Sequence, residues 1–281
     1  LEINDGGGDS EIDIAGIGAN NAGVAANGAT KIGNALTTKL TLDGTVYKTD
    51  DTQTYTTAGG DKILVTNASG ATITTSADDV KFVGGNIQIV DTTLTVTTGG
   101  SGNAGDISVA GSIIGKDNNA QSNVSLTSGD GTIDIHTIET DMEDVTLVGN
   151  TTLGGDITLK DDGVLSITGD VLVDKTHLTI NTEDGSGGAG SAGGAVTITG
   201  KLDSKTSARD VDILTGQGLT TIGGNIGTIS ALNSLDINAT VNAKYTGGVT
   251  ISGDIGSGAT SGSGEGISGN LILGNTNTTG A

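Results

Sequence analysis

The chain has 281 residues, and its 33 Asp and Glu outnumber its 12 Lys and Arg to give a formal net charge of −21. Phosphate binding needs clustered Lys and Arg, so an acidic surface with one arginine, Arg209, excludes nucleic acid as a partner. Cysteine is absent, which excludes disulfides, thiolate metal sites and cysteine nucleophiles.

Fifty glycines, abundant threonine and few Leu, Glu, Lys or Ala at helical spacing predict almost no helix. Proline is also absent, so every residue keeps the backbone donor that an uninterrupted stack of ladders requires. Aromatics are limited to Tyr47, Tyr55, Phe82 and Tyr245. A sandwich or barrel of this size would use more large side chains in its thicker core. The regular placement of the apolar third of the chain argues against a disordered acidic tail. No apolar run reaches the ~18 residues of a membrane-spanning helix. No signal peptide is present and the first residue is Leu1, so we expect a mature product or a segment of something longer, with the secretion route open.

In chain order, residues 1–35 are the least regular, with one short strand at Ile12-Asp13-Ile14 among Gly, Ala and Asn. Steady strand signals begin at Leu36. The recurring unit is an apolar-polar-apolar triplet set off by glycine: Leu94-Thr95-Val96, Ile107-Ser108-Val109, Val124-Ser125-Leu126, Ile133-Asp134-Ile135 and Val145-Thr146-Leu147. The series continues through Ile157-Thr158-Leu159, Leu165-Ser166-Ile167, Leu178-Thr179-Ile180, Val196-Thr197-Ile198, Val211-Asp212-Ile213, Leu235-Asp236-Ile237 and Val249-Thr250-Ile251. Period-two alternation puts both apolar residues on one face and the polar residue on the other. A three-residue strand buries too little to stand alone, whereas many stacked in register bury a continuous narrow core. The pattern therefore predicts an all-β fold, a right-handed parallel β-solenoid (β-helix) with two to three short strands per coil. Residues 1–35 form its irregular N-terminal strand and loops, and residues 36–281 one continuous rod on the order of 50 Å long at about 4.8 Å per coil.

A longer repeat overlies the triplets. GNIQIVDTTLTV from Gly85 matches GDVLVDKTHLTI from Gly169 at a shift of 84, and Val124-Ser125-Leu126 pairs with Val211-Asp212-Ile213 at a shift of 87. The drift places insertions in Gly-rich turns. Coils of about 28 residues, or of about 21, both fit the shift. The Gly/Ser-rich residues 185–194 read as a loop protruding from a coil, and residues 256–269 as a turn or a flexible linker.

Ile32-Gly33-Asn34-Ala35-Leu36 leads to Leu40-Thr41-Leu42 and then to Tyr55, just as Ile226-Gly227 through Ala231-Leu232 leads to Leu235-Asp236-Ile237 and then to Tyr245. Gly223-Gly224-Asn225-Ile226-Gly227, Leu-x-x-Leu-x-Ile and Tyr245-Thr246-Gly247 resemble the repeat grammar of filamentous-haemagglutinin-like proteins and related large bacterial surface adhesins. The resemblance covers roughly residues 30–273. It implies a right-handed parallel β-helix, exported and exposed at the cell surface. It carries no functional residue over, because the matched positions are core and turn positions.

Chemistry-bearing residues are sparse. His136 and His177 stand alone beside strands, with no ligand spacing. Acidic clusters at Asp50-Asp51, Asp78-Asp79, Asp141/Glu143/Asp144 and Asp161-Asp162 offer hard oxygen ligands for loose Ca²⁺ binding. Residues 99–106 approach a calcium-binding nonapeptide, but the Asp is displaced and the motif does not recur in tandem. Paired catalytic carboxylates and aromatic sugar platforms are not evident. Outward threonines on neighbouring coils are expected to form hydroxyl ladders. Such ladders organise ice only as a regular Thr-x-Thr array, which variable coil length argues against.

The reading is a non-catalytic structural or adhesive segment of an extracellular microbial surface protein or filament. The alternative is a self-assembling subunit of a surface layer or filament, and the minor alternative a carbohydrate-active β-helix enzyme. No catalytic or cofactor-binding residue and no required cofactor is expected. The expected partners are further solenoid at the ends, from the same chain or a neighbouring subunit, and a host or cell-surface receptor.

Overall fold

The structure, a computed structural model, describes residues 1–4, 10–18, 28–99, 105–116, 121–139, 141–160, 162–183, 193–238, 247–256 and 266–274. Every regular element among these residues is a β-strand. The chain is a parallel β-solenoid with three strands per coil, and it divides into two compact units: residues 1–142 with 146–150, and residues 143–145 with 151–281.

In the first unit the chain visits three faces in turn. On the first face, Glu2–Ile3, Thr30–Ile32, Gln53–Thr56, Val80–Val83 and Ile107–Val109 stack in parallel, followed by residues 133–135. The second face is Ser10–Ile14, Thr37–Leu42, Lys62–Val65, Asn86–Val90, Ile113–Lys116 and Ile138–Glu139. The third is Val46–Lys48, Ala71–Thr75, Thr93–Thr98 and residues 123–127. One strand, Asn123–Ile135, runs through the corner at Gly129 and serves the third face and then the first.

The second unit repeats the order. Its first face stacks residues 151–153, Val171–Val173 and Leu202–Ser204. Its second face is Ile157–Thr158, His177–Asn181, Arg209–Leu214, Leu232–Ile237 and Leu271–Leu273. Its third is Leu165–Thr168, Val196–Ile198, Thr220–Ile222 and Val249–Ile251. Paired residues on adjacent coils lie 20 apart at Thr151 and Val171 but 36 apart at Leu235 and Leu271. Neither a uniform coil of 28 nor one of 21 holds.

Register explains the core. Ile107 pairs with Val80 on one side and Ile133 on the other, so an apolar side chain rests on an apolar side chain from coil to coil. Ile107, Val109, Val196 and Ile198 point inward and are buried, while Ser108 and Thr197 are half-exposed on the outer side. Val249 and Ile251 are only half-buried, because among the described residues their strand has a neighbour on one side alone. Each buried Val, Leu or Ile contributes about 1.5–3 kcal/mol of transfer free energy, and no single coil holds enough of them to fold alone.

Corners are where the coils come closest. A Cβ on Gly194 would lie 1.8 Å from the carbonyl oxygen of Gly163, one on Gly218 2.2 Å from that of Gly194, and one on Gly247 2.0 Å from that of Gly218. Only a residue without a side chain lets the backbone pack so tightly. The family-like motif occupies another such corner. Gly33 (φ 73°) and Gly227 (φ 67°) both leave a first-face segment in the left-handed region, and a Cβ on either would strike a carbonyl oxygen.

Inward threonines and serines seal other corners. The Ser128 hydroxyl donates to the Gly131 carbonyl at 2.9 Å and the Thr215 hydroxyl to that of Gly218 at 2.8 Å, each bridging three residues. Thr98 donates in the same way to Gly105, and Thr182 to Gly194 at 2.6 Å, across much longer stretches of chain. One hydroxyl closes the corner whatever the intervening length, so insertions leave the strand register intact. Residues 184–192, most of the predicted Gly/Ser-rich loop, lie outside the described residues.

The core of the first unit also holds three aromatics. Tyr55 and Phe82, in register on adjacent coils, stack with ring centroids 5.3 Å apart. The Tyr47 hydroxyl donates to the Ile14 carbonyl and accepts the Gly44 N–H, both at 2.7 Å. Burial pushes the Tyr47 phenol up to about 12 and raises that of Tyr55 well above its ordinary value. The Tyr55 hydroxyl donates at 2.6 Å to Gln53 Oε1, and Gln53 Nε2 donates to the carbonyls of Thr74 and Tyr47 at 2.9 and 3.2 Å. Gln53 is fully buried, and this network satisfies its amide.

The inward register is tested by a pair of neighbouring substitutions. Val196→Asp buries an unpaired charge and is expected to cost several kcal/mol. Thr197→Lys on the outer side changes stability by less than about 1 kcal/mol. Denaturant titration of both variants checks this, and equal destabilisation would show the register to be wrong.

Candidate functional site

Several acidic residues lie at corners and strand starts, where a backbone N–H of the next coil has no ladder partner. Their carboxylates fill that gap. Asp79 Oδ1 accepts the N–H of Asp106 at 2.9 Å, and Asp106 Oδ1 in turn accepts the N–H and the hydroxyl of Thr132 at 2.8 and 2.9 Å. In the second unit Asp156 accepts from Thr179, Asp170 from Lys201, Asp144 from Val164 and Asp162 from Gly193 at 2.7–2.9 Å. Asn86 and Asn225 make the same bond to Ser112 and Asp254, both at 2.9 Å. Asp203, fully buried, accepts the N–H of Ile229 at 3.0 Å.

Cations follow the same rule. Lys39 pairs with Glu11, Lys175 with Asp156, Lys205 with Asp174 at 2.9 Å and Arg209 with Asp174 at 3.7 Å, each joining residues about one coil apart.

The candidate residues therefore resolve one by one. Asp50 accepts the Ser76 hydroxyl and Asp51 the Thr52 N–H, both at 3.0 Å. Asp79 also pairs with Lys81 at 2.8 Å. Lys81 first, and then the Asp106 N–H, hold its carboxyl below the usual range against the opposing effect of burial. Asp162 and Asp141 sit at φ 62° and 60°, a conformation Asp tolerates better than bulky residues. Asp161 lies outside the described residues, as do residues 100–104 of the calcium-like stretch. Glu143 and Asp144 belong to the second unit and Asp141 to the first. Among the described residues, no three His, Asp or Glu side chains converge as a metal-holding group. His136 is exposed at a strand end of the first unit, and His177 is in the second.

His177 opens on a patch of three aspartates. Its Nε2 lies 2.8 Å from Asp212 Oδ2. Asp212 and Asp236 are register partners on adjacent second-face strands, with Asp210 opposite Ser234 beside them. The Ser234 hydroxyl and the Asn233 amide both donate to Asp210 and, with the Ser234 bond foremost, hold its carboxyl below the usual range. Asp236 shifts the other way. Burial first, then repulsion from Asp212 and Asp210, raises its carboxyl above the usual range, with His177 opposing. Its Oδ1 is shielded from solvent and has no hydrogen-bond partner. The patch was not visible in the sequence, because Asp212 and Asp236 are 24 residues apart and meet only through the ladder.

A shallow groove lies across three successive coils of the first unit, lined by Ser69, Asp91, Gln121 and Asn123 among others. No aromatic side chain lines it, so it offers no stacking platform for a sugar. Among the described residues no helix is long and apolar enough to cross a membrane. No family model, curated protein or solved structure matches the chain.

The stacked carboxylates have a pH signature. Above the raised pKa of Asp236 its charge opposes folding, and as pH falls through that pKa the folded state takes the proton first and the cost is relieved. Asp79 and Asp210 act in the opposite sense, since their stabilisation is complete above the ordinary carboxylate range and lost as pH falls through their lowered values. Asp236→Asn is thus expected to raise the melting temperature at neutral pH. The gain should shrink to nothing on acidification through the carboxylate range. A gain that persists in acid would show that charge is not its source.

Proposed function

We propose that the chain is a non-catalytic structural and adhesive segment of an extracellular microbial surface protein or filament. The observation that carries this reading is the use of its carboxylates. Carboxylates such as Asp79, Asp156, Asp170 and Asp174 instead hold backbone N–H groups and cations of the neighbouring coil, with Asp236 the exception. A catalyst would leave paired carboxylates free at an open cleft.

The second reading, a self-assembling subunit, draws on one further observation. Among the described residues Leu271–Leu273 is bonded on one side alone, and its leucines are 42% and 46% exposed. A parallel edge of this kind continues a stack when another strand meets it. Such a head-to-tail contact is heterologous and builds a filament.

Electron microscopy and light scattering of the native material test the structural role. Linear particles that lengthen with concentration are expected, and dispersed monomeric particles at high concentration would refute assembly. Incubation with acidic and neutral polysaccharides is expected to release no new reducing ends or unsaturated products, and release of either would overturn the non-catalytic reading.

The net charge of −21 also makes divalent cations loose partners. Melting temperature is expected to rise in millimolar Ca²⁺ and at raised ionic strength. Identical melting in chelator, Ca²⁺ and high salt would show that surface repulsion does not limit stability.

A further inference from the structure

The third face differs from the other two in its outer side chains. In the first unit Thr72, Thr95 and Ser125 are register partners on successive strands, and Thr74, Thr97 and Thr127 form the parallel column beside them. In the second unit Ser166, Thr197, Thr221 and Thr250 form one column across four strands. These columns carry hydroxyls and no charge; Asn123, opposite Thr93, and Lys48, opposite Thr74, bound the first-unit array. Charged side chains line the other faces: Glu11, Asp13 and Lys62 on the second, and Lys31, Lys81 and Asp134 on the first.

These outer hydroxyls also differ from the inward ones. Thr98, Thr182 and Thr215 are each tied to a backbone carbonyl. Thr72, Thr74, Thr95, Thr97, Ser125 and Thr127 instead face outward from half-exposed or exposed positions. The array is regular although coil length varies, because insertions are confined to the corners.

We propose that the third face binds a crystalline water lattice, so that the chain is an ice-surface binder in addition to its structural role. Three physical features point there. First, the face is periodic in two directions, at about 4.8 Å from strand to strand and about 6.6 Å between alternate residues along a strand; the first repeat lies close to the a-axis repeat of hexagonal ice and the second somewhat short of its c-axis repeat. A periodic face selects a periodic partner. Second, each hydroxyl both donates and accepts, and β-branching holds threonine at χ1, so the array is rigid and of no fixed polarity. A neutral lattice suits an uncharged strip on a chain of −21. Third, the first-unit array covers on the order of 250 Å², against about 800 Å² per partner in a stable protein interface. That area is too small to hold a second copy by itself.

The proposal does not depend on end-to-end assembly, and its test separates the two. The purified chain is placed in supercooled buffer, and ice growth and recrystallisation are followed by microscopy against a globular protein at equal concentration. Slowed growth, faceted crystals and suppressed recrystallisation are expected. Thr95→Lys with Thr97→Lys, and separately Thr197→Lys, should abolish or weaken the effect at the same protein concentration with unchanged circular dichroism and melting. Asp134→Lys on the first face should leave it intact. Thr95→Val, which keeps the strand-forming shape and removes only the hydroxyl, is the second probe and should weaken the effect. Ice growth matching the control protein overturns the proposal, as does an effect retained in the double lysine variant. A concentration-dependent dimer dispersed by those same lysines also overturns it, by assigning the face to a second copy. Retention of the chain on crystalline chitin or cellulose, lost in the double lysine variant, overturns it likewise in favour of a polysaccharide surface.

Discussion

The close approach of successive coils is the constraint on which the rest depends. Parallel strands on adjacent coils share one hydrogen-bond spacing, and at the corners the backbone of one coil rests on a carbonyl of the coil before it. Glycine is required wherever that contact leaves no room for a Cβ, as at Gly194, Gly218 and Gly247. The same approach fixes register, and register lays isoleucine on valine through the core and threonine on threonine outside it.

Corners interrupt the ladder, and each interruption leaves backbone groups to be satisfied. The chain meets this with two short side chains. Aspartate and asparagine on the outside accept N–H groups of the next coil, while threonine and serine on the inside donate to carbonyls of their own corner. This division explains why an acidic composition coexists with so little free acid chemistry. It also explains how the chain absorbs insertions of very different length after Thr98 and Thr182 without disturbing the strands on either side.

Charge is consequently distributed by face. The first and second faces carry ion pairs that bridge coils, such as Lys205 to Asp174, together with the strained stack of Asp236 on Asp212. On the third face the columns from Thr72 to Thr127 and from Ser166 to Thr250 are left to hydroxyls. A solenoid can segregate chemistry in this way because each outer column is set by one residue per coil, independently of the columns beside it.

Much of this was legible in the chain itself. Triplets such as Ile107-Ser108-Val109 and Val196-Thr197-Ile198 fix strand, inward side and outward side by their period alone, because a two-residue alternation has only one assignment to an apolar core. Spaced glycines and the lack of proline make stacked parallel coils the economical way to bury them. Coil length was not legible: the 84-residue shift suggests equal coils, whereas partners lie 20 residues apart at Thr151 and 36 apart at Leu235. Nor were the Asp212–Asp236 stack or the Gln53–Tyr55 network; stacked outward threonines were expected, but not which of them share a column. Each joins residues 20 or more apart, or relies on a buried amide finding distant carbonyls, and only the register of one coil on the next brings such groups together. Sequence determined which residues face inward, since that depends on local alternation; tertiary structure decided which outward residues become neighbours, since that depends on how much chain each corner consumes.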